Sequence, residues 1–275
     1  MATVLMESFA VITSAIGADA VVARVIPWVF FWHALFWLSV FVSPMLFSTY
    51  PTLDGPSKSY WASSMVSTIH AILICYLATI AAINLDILNS QDLFKVDESS
   101  SLANIVFISY LCSDLVLSLY YNKCWPGWQA NVIHHVTGIW CWYILETGSF
   151  GHTFAIAAQL TEATTPFINQ RYFFDKAGMK SSSLYLANGL LMTVLWFLLR
   201  VCMFGWVGFR LFVMRSELLS LSSIQLVTCL FSYTIGYSLQ LFWFSKILKG
   251  ALKAAGISGG KKTVKSGKKP MKQAD

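Results

Sequence analysis

The stretch "NVIHHVTG" at 131–138 puts two adjacent histidines inside an otherwise apolar run. An ionisable side chain at membrane depth is costly, and it survives there as glue between helices or as part of a site. A neutral imidazole beside a carboxylate can take a proton from a hydroxyl or an amine. The carboxylate fixes the tautomer and stabilises the imidazolium. Acyl transfer between lipids would use that arrangement, with a soluble acyl-CoA as co-substrate. A binding cavity for a lipid head group needs the same residue types and no turnover, and the residues alone do not separate the two. His134 and His135 point about 100° apart on a helix, so one can face a cavity while the other packs on a neighbour. Asn131 lies one turn earlier and can bond either ring. Metal ligands on one helix sit four apart, adjacent histidines splay, and the chain has five histidines in all. No metal and no cofactor is therefore expected. Ser149, Thr161, Thr164 and Thr165 offer hydroxyls, but no nucleophile elbow accompanies them.

The elements that must position these residues are membrane helices. The 275 residues are 56% hydrophobic and 12% charged, against about 25% charged in soluble domains. The apolar runs are continuous rather than alternating, which argues against a β-barrel. The predicted fold is all-α: a polytopic transmembrane bundle of six or seven spans around a polar cavity. Candidate spans lie near 26–48, 64–85, 102–121, 128–146, 152–170, 184–207 and 222–246. The organisation is an N-terminal segment over 1–25, a first helix over 26–50, a membrane domain over 56–250 and a basic, disordered tail over 251–275. No internal repeat supports a transporter built from inverted halves. The six cysteines have neither zinc nor disulfide spacing.

Nine of the 19 lysines and arginines lie from Lys246 onward. The 171–181 connector adds Arg171, Lys176 and Lys180, and Lys123 lies in the 122–127 connector. The 86–101 connector is acidic, with Asp86, Asp92, Asp97 and Glu98. Positive charge collects on the cytosolic side, so the C-terminus is expected there, with Arg210 and Arg215 counting against the scheme. The Lys-rich tail has no aromatic or motif context for nucleic acid; membrane lipids are the expected partners.

Counting inward from each basic connector gives depth, at 1.5 Å per residue. His134 lies eight residues past Pro126, about 12 Å in, and Asp114 lies eight residues before Asn122. Glu162 lies nine residues before Arg171, and Gln240 six before Lys246. His70 lies six residues into the second span, and Asn188 a few into the sixth. Every span from the second to the seventh thus brings a polar group to one slab. Buried charges in lipid face a bundle interior and pair with one another. The candidate catalytic residues are His134, His135 and Asp114; the candidate binding residues are His70, Asn131, Glu162, Asn169, Arg171, Asn188 and Gln240. Pro166 either kinks the fifth span or marks its end. Arg171 either binds a phosphate head group or anchors topology. Arg200, on the far side of the slab, either pairs with an unidentified acid or snorkels outward. His33 reads as packing.

Three stretches, "SDL" at 113–115, "NVIHHVTG" at 131–138 and "LTEATTPFINQRYFF" at 160–174, resemble the TLC family of endoplasmic-reticulum membrane proteins. The last is most similar to the TLC domain-containing protein 4 subgroup. The resemblance covers about residues 56–250. It implies a helical bundle around a lipid-accommodating cavity and a role in lipid synthesis, sensing or trafficking. Ceramide synthases of this family join an acyl chain to a sphingoid amine with a His pair, which maps to His134 and His135. They continue with a His-Asp step that this chain lacks: between His135 and Asp175 its acids are Glu146 and Glu162, and Thr153 follows His152. The expected function is that of a membrane protein of lipid homeostasis, binding acyl lipid around the His pair. The alternatives are an acyl-CoA-dependent lipid acyltransferase and a non-catalytic sorting receptor working through its tail.

Overall fold

The structure is a computed structural model and describes residues 19–254. Over that range the chain is helical, with no strand among the described residues. Helix α1 spans Ala20–Leu46, α2 spans Gly55–Leu85, α3 spans Glu98–Tyr120 and α4 spans Trp128–Gly148. A broken helix follows: α5 at His152–Leu160, a 3₁₀ turn at Thr161–Thr164, and α6 at Thr165–Lys176. Helix α7 (Ser183–Leu195) runs through a π-helical segment (Trp196–Cys202) into α8 (Met203–Val213). A short α9 (Arg215–Leu219) precedes α10 (Ser223–Ala254). The tail end of the bundle is where α10 finishes; the far end carries the 86–97 connector.

Short polar caps set the helix starts. Asp19 accepts from the Val21 amide at 2.8 Å, Asp54 from Ser57 at 2.8 Å and Asp97 from Ser99 at 2.8 Å. Bonds from Ser99 hold the half-buried Asp97 carboxyl below the usual carboxylate range. Gly151, at φ +69°, opens α5 after a tight reversal from α4, a conformation that favours glycine. Its amide is tied to the Leu93 carbonyl at 2.7 Å.

Among the described residues, five helical stretches are long and apolar enough to cross a membrane: α1, α2, α3, α7 with α8, and α10. The seven expected spans are thus five by length and composition. Helix α4 carries Asn131, both histidines and Glu146 in 21 residues, which dilutes its hydropathy. The predicted span at 152–170 is cut by its 3₁₀ turn. Both still fill the bundle: α4 packs on α3 and α10, and α5 and α6 pack on α2. Pro166 lies in the first turn of α6, where its missing N–H costs nothing. It thus opens a new helical segment after the break. The second span begins at Gly55 rather than near 64, so His70 lies deeper than expected. Helix α10 continues to Ala254, so the start of the expected tail is helical; the rest of the tail, and residues 1–18, lie outside the described residues. All six cysteines are free.

Apolar helices gain nothing from one another over lipid by hydrophobicity alone, so tight packing and polar bonds hold them together. Trp32 and Phe36 of α1 are fully buried, and the Trp32 indole donates to Ser109 of α3 at 3.0 Å. His33, read as packing, bonds Ser113 of α3 at 2.9 Å. Arg210 is explained as well: its guanidinium caps the Leu88 and Ser90 carbonyls of the acidic connector. At the far end lies a network that spacing did not reveal. Glu146 of α4 accepts from Arg24 of α1 at 3.2 Å and Asn104 of α3 at 3.1 Å, with His152 of α5 at 3.5 Å. Asn104 accepts in turn from Gln159 at 2.9 Å. One carboxylate ties four helices.

Removing one partner of a buried charged cluster costs about 3–5 kcal/mol. Glu146→Ala leaves His152, Asn104 and Arg24 without their acceptor. We expect it to lower the thermal unfolding midpoint of the detergent-solubilised protein well beyond Glu98→Ala, a change at an exposed position in the first turn of α3. Equal midpoints for the two variants would remove the network's structural role.

Candidate functional site

A cavity of about 1260 Å³ opens at the tail end between α2, α3, α4, α6, α7 and α10. Eight of the ten expected site residues line it: His70, Asp114, Asn131, His134, His135, Glu162, Asn169 and Arg171. They arrive from four helices, which is why counting depth on each helix separately could find them.

Asp114 and His135 form the centre. His135 Nε2 lies 2.9 Å from Asp114 Oδ2, and both side chains are buried. Ser63 of α2 donates to Asp114 Oδ1 at 2.9 Å. Asn131 donates to Asp114 Oδ2 at 3.2 Å and to Ser118 at 2.9 Å. Asn131 therefore steadies the carboxylate, not an imidazole ring as its spacing suggested. A carboxylate only accepts, so Nε2 carries the hydrogen and the tautomer is set. His135 Nδ1 is buried with no partner. His134 turns away by one helical step and meets Trp243 of α10 edge-on, centroids 5.7 Å apart. Both histidines reach the cavity.

Glu162 does not join the His pair. Its Oε1 accepts from Arg200 Nη2 at 3.1 Å and its Oε2 from Thr165 at 2.6 Å. Arg200 is 4% exposed and also donates to Thr164 at 2.6 Å and to the Gln240 side chain at 3.3 Å. Arg200 thus pairs with an acid and does not snorkel. It lies in the π-helical segment, and the 3₁₀ turn presents Glu162 opposite. Such local departures from α geometry gather at functional positions. The signal was available: an arginine deep in an apolar span needs an acid, and few acids lie at that depth.

Two expected binding residues have other work. Asn188 donates to the Phe167 carbonyl at 2.9 Å, clips α7 to α6, and lies off the cavity. Gln240 is bonded to Arg200 and its carbonyl accepts from the Trp196 indole Nε1 at 3.2 Å; it lies off this cavity and on the apolar pocket described below. Depth counting cannot tell which way a side chain points around its helix. Asn169 donates to Thr68 at 3.0 Å and remains on the cavity wall. His70 is 1% exposed, stacks on Tyr110 with centroids 3.8 Å apart, and has no partner for either ring nitrogen. Thr161, Thr164 and Thr165 each donate their hydroxyl locally.

A second, apolar pocket of about 100 Å³ continues from His134 toward the far end, between α4, α5, α8 and α10. Gly138, Cys141, Phe154, Val207 and Gly236 line it. His134 belongs to both spaces. No three His, Cys, Asp or Glu side chains converge for a metal ion among the described residues. The assembly has polar groups and the oriented His135 imidazole at one end, an apolar slot at the other, and His134 between them.

The tautomer is open to measurement. With ¹⁵N-histidine labelling, the wild-type protein should show His135 as a single Nε2–H form. Asp114→Asn replaces an acceptor-only group by one that also donates, and should give a mixture. A mixture already present in the wild type would dissolve the Asp114–His135 assignment.

The TLC domain profile matches residues 60–249. TLC domain-containing protein 4-B of Xenopus laevis is 30% identical over 239 residues, covering 84% of this chain and 89% of that protein. TLC domain-containing protein 4 of Homo sapiens is 29% identical over 235 residues, covering 81% and 84%. TLC domain-containing protein 4 A of Dictyostelium discoideum is 25% identical over 222 residues, covering 79% and 84%. With its helical bundle and a match over most of its length, the chain belongs to the TLC domain family of multi-pass membrane proteins.

Proposed function

We propose that this protein holds an acyl lipid, with the head group in the polar cavity and part of the acyl chain in the apolar pocket. It does so as a multi-pass protein of endoplasmic-reticulum lipid homeostasis, with its C-terminus in the cytosol. The observation that carries the reading is the meeting of the two spaces at His134. A slot of small and apolar side chains suits a hydrocarbon chain, and each methylene buried there is worth about 0.8 kcal/mol. The lysines and arginines at the tail end support the orientation.

A second reading is favoured by the Asp114 and His135 geometry, in which a carboxylate orients an imidazole. In it the imidazole takes the proton of a lipid amine or hydroxyl as that group attacks the thioester carbonyl of an acyl-CoA. The carbon–sulfur bond breaks, and the CoA sulfur leaves with the proton. The same cavity serves both readings; turnover separates them.

Gly236 tests the apolar pocket. A Cβ there would stand 3.5 Å from Phe204 Cε1, an ordinary contact, so a side chain can start at this position without displacing a neighbour. Lipid co-purifying with Gly236→Leu should shift to shorter acyl chains, with the total bound conserved. An unchanged chain-length profile would take the chain out of this pocket. For the second reading, purified protein is given labelled acyl-CoA and a membrane extract. Product from the wild type but not from Asp114→Asn establishes transfer; no product from either leaves a binding protein.

A further inference from the structure

Resting on the lipid-binding reading, we propose that the cavity mouth is a phosphate site in which Arg171 grips a phosphate monoester on the ligand's head group. The charged groups of the cavity divide into two sets. The deep set is spent: Asp114 is bonded to His135, and Glu162 to Arg200. The rim set is cationic, comprising Arg171 on α6, Lys180 in the 177–182 connector and Lys246 on α10. No acid lines the mouth among the described residues.

Arg171 is held in place without being neutralised. Its guanidinium lies over the Tyr185 ring, 4.0 Å from carbon to centroid. On the next turn of α7, Gly189 leaves the space the guanidinium occupies; a Cβ there would collide with Arg171 Nη1. Yet among the described residues Arg171 makes no ion pair, and no hydrogen bond uses its guanidinium. This contrasts with Arg24, Arg200 and Arg210, each of which donates to a carboxylate or a carbonyl. A guanidinium fixed by stacking, with its donors unused on a cavity wall, is preorganised for bidentate recognition of an oxyanion.

The surroundings favour a phosphate monoester over a carboxylate. Lys246 lies over Phe242, 4.1 Å from the ring centroid, with no acidic partner among the described residues. Ser181 and Ser183 line the same rim, at the start of the 13-residue α7. Two unpaired cations, hydroxyls and a positive helix end suit a group of charge near −2. Lys180 is already paired with Asp175 at 2.6 Å and adds less. The phosphate can come from a membrane phospholipid or from the 3′-phosphate of a CoA thioester.

The experiment uses the full chain in nanodiscs of neutral lipid. Binding of dioleoyl phosphatidic acid is compared with that of dioleoylglycerol, which has the same chains and no phosphate. Oleoyl-CoA and glycerol 3-phosphate are the other arms. We expect phosphatidic acid or oleoyl-CoA to bind at least about tenfold tighter than dioleoylglycerol, a ratio worth about 1.4 kcal/mol. The ratio should fall toward one in Arg171→Gln and at raised ionic strength. Gly189→Ala, which keeps the charge but displaces the guanidinium, should lower it too. Whichever phosphate ligand binds tighter, and loses more in Arg171→Gln, names the source. Equal binding of phosphatidic acid, oleoyl-CoA and dioleoylglycerol would overturn the phosphate site and leave the lipid cavity standing. Glycerol 3-phosphate binding as tightly as phosphatidic acid would instead overturn the role of the acyl chain. A ratio insensitive to Arg171→Gln and Gly189→Ala would remove Arg171 from the site.

Discussion

A charge enclosed between apolar helices has no water to turn to, so its partner must come from inside the protein. Three such pairings organise this bundle. Glu146 draws Arg24, Asn104 and His152 together at the far end. Arg200 and Glu162 close the middle. Asp114 and His135 close the part nearer the mouth. Each joins separate helices, and the cost of leaving one member alone makes each arrangement selective as well as stabilising.

The irregular backbone follows from the same constraint. An unbroken fifth span would carry Glu162 on a regular helical face. The 3₁₀ turn at Thr161–Thr164 and the π-helical segment at Trp196–Cys202 instead present Glu162 and Arg200 to each other. Thr164 and Thr165 complete the guanidinium's acceptors. Glu162 is thereby bonded to Arg200, and Asp114 is the carboxylate that His135 meets.

What remains unspent gathers at one cavity. His70 has no partner for either ring nitrogen, His135 none for Nδ1, and Arg171 none for its guanidinium among the described residues. All three line one cavity, which His134 joins to an apolar pocket.

The sequence by itself determined the class, the helical architecture and the level of most of the polar groups, His70 excepted, because hydropathy and a constant helical rise are local properties. It placed His134, His135 and Asp114 at one level and named residues from four helices that do share a cavity. The tertiary structure alone decided who bonds to whom. Asn188 and Gln240 have the right depth but point toward Phe167 and Arg200. Asn131 serves Asp114 and not a ring. Counting along a chain gives height in the bundle, whereas partnership depends on rotation about each helix and on breaks such as the one before α6. Those are settled only when neighbouring helices pack.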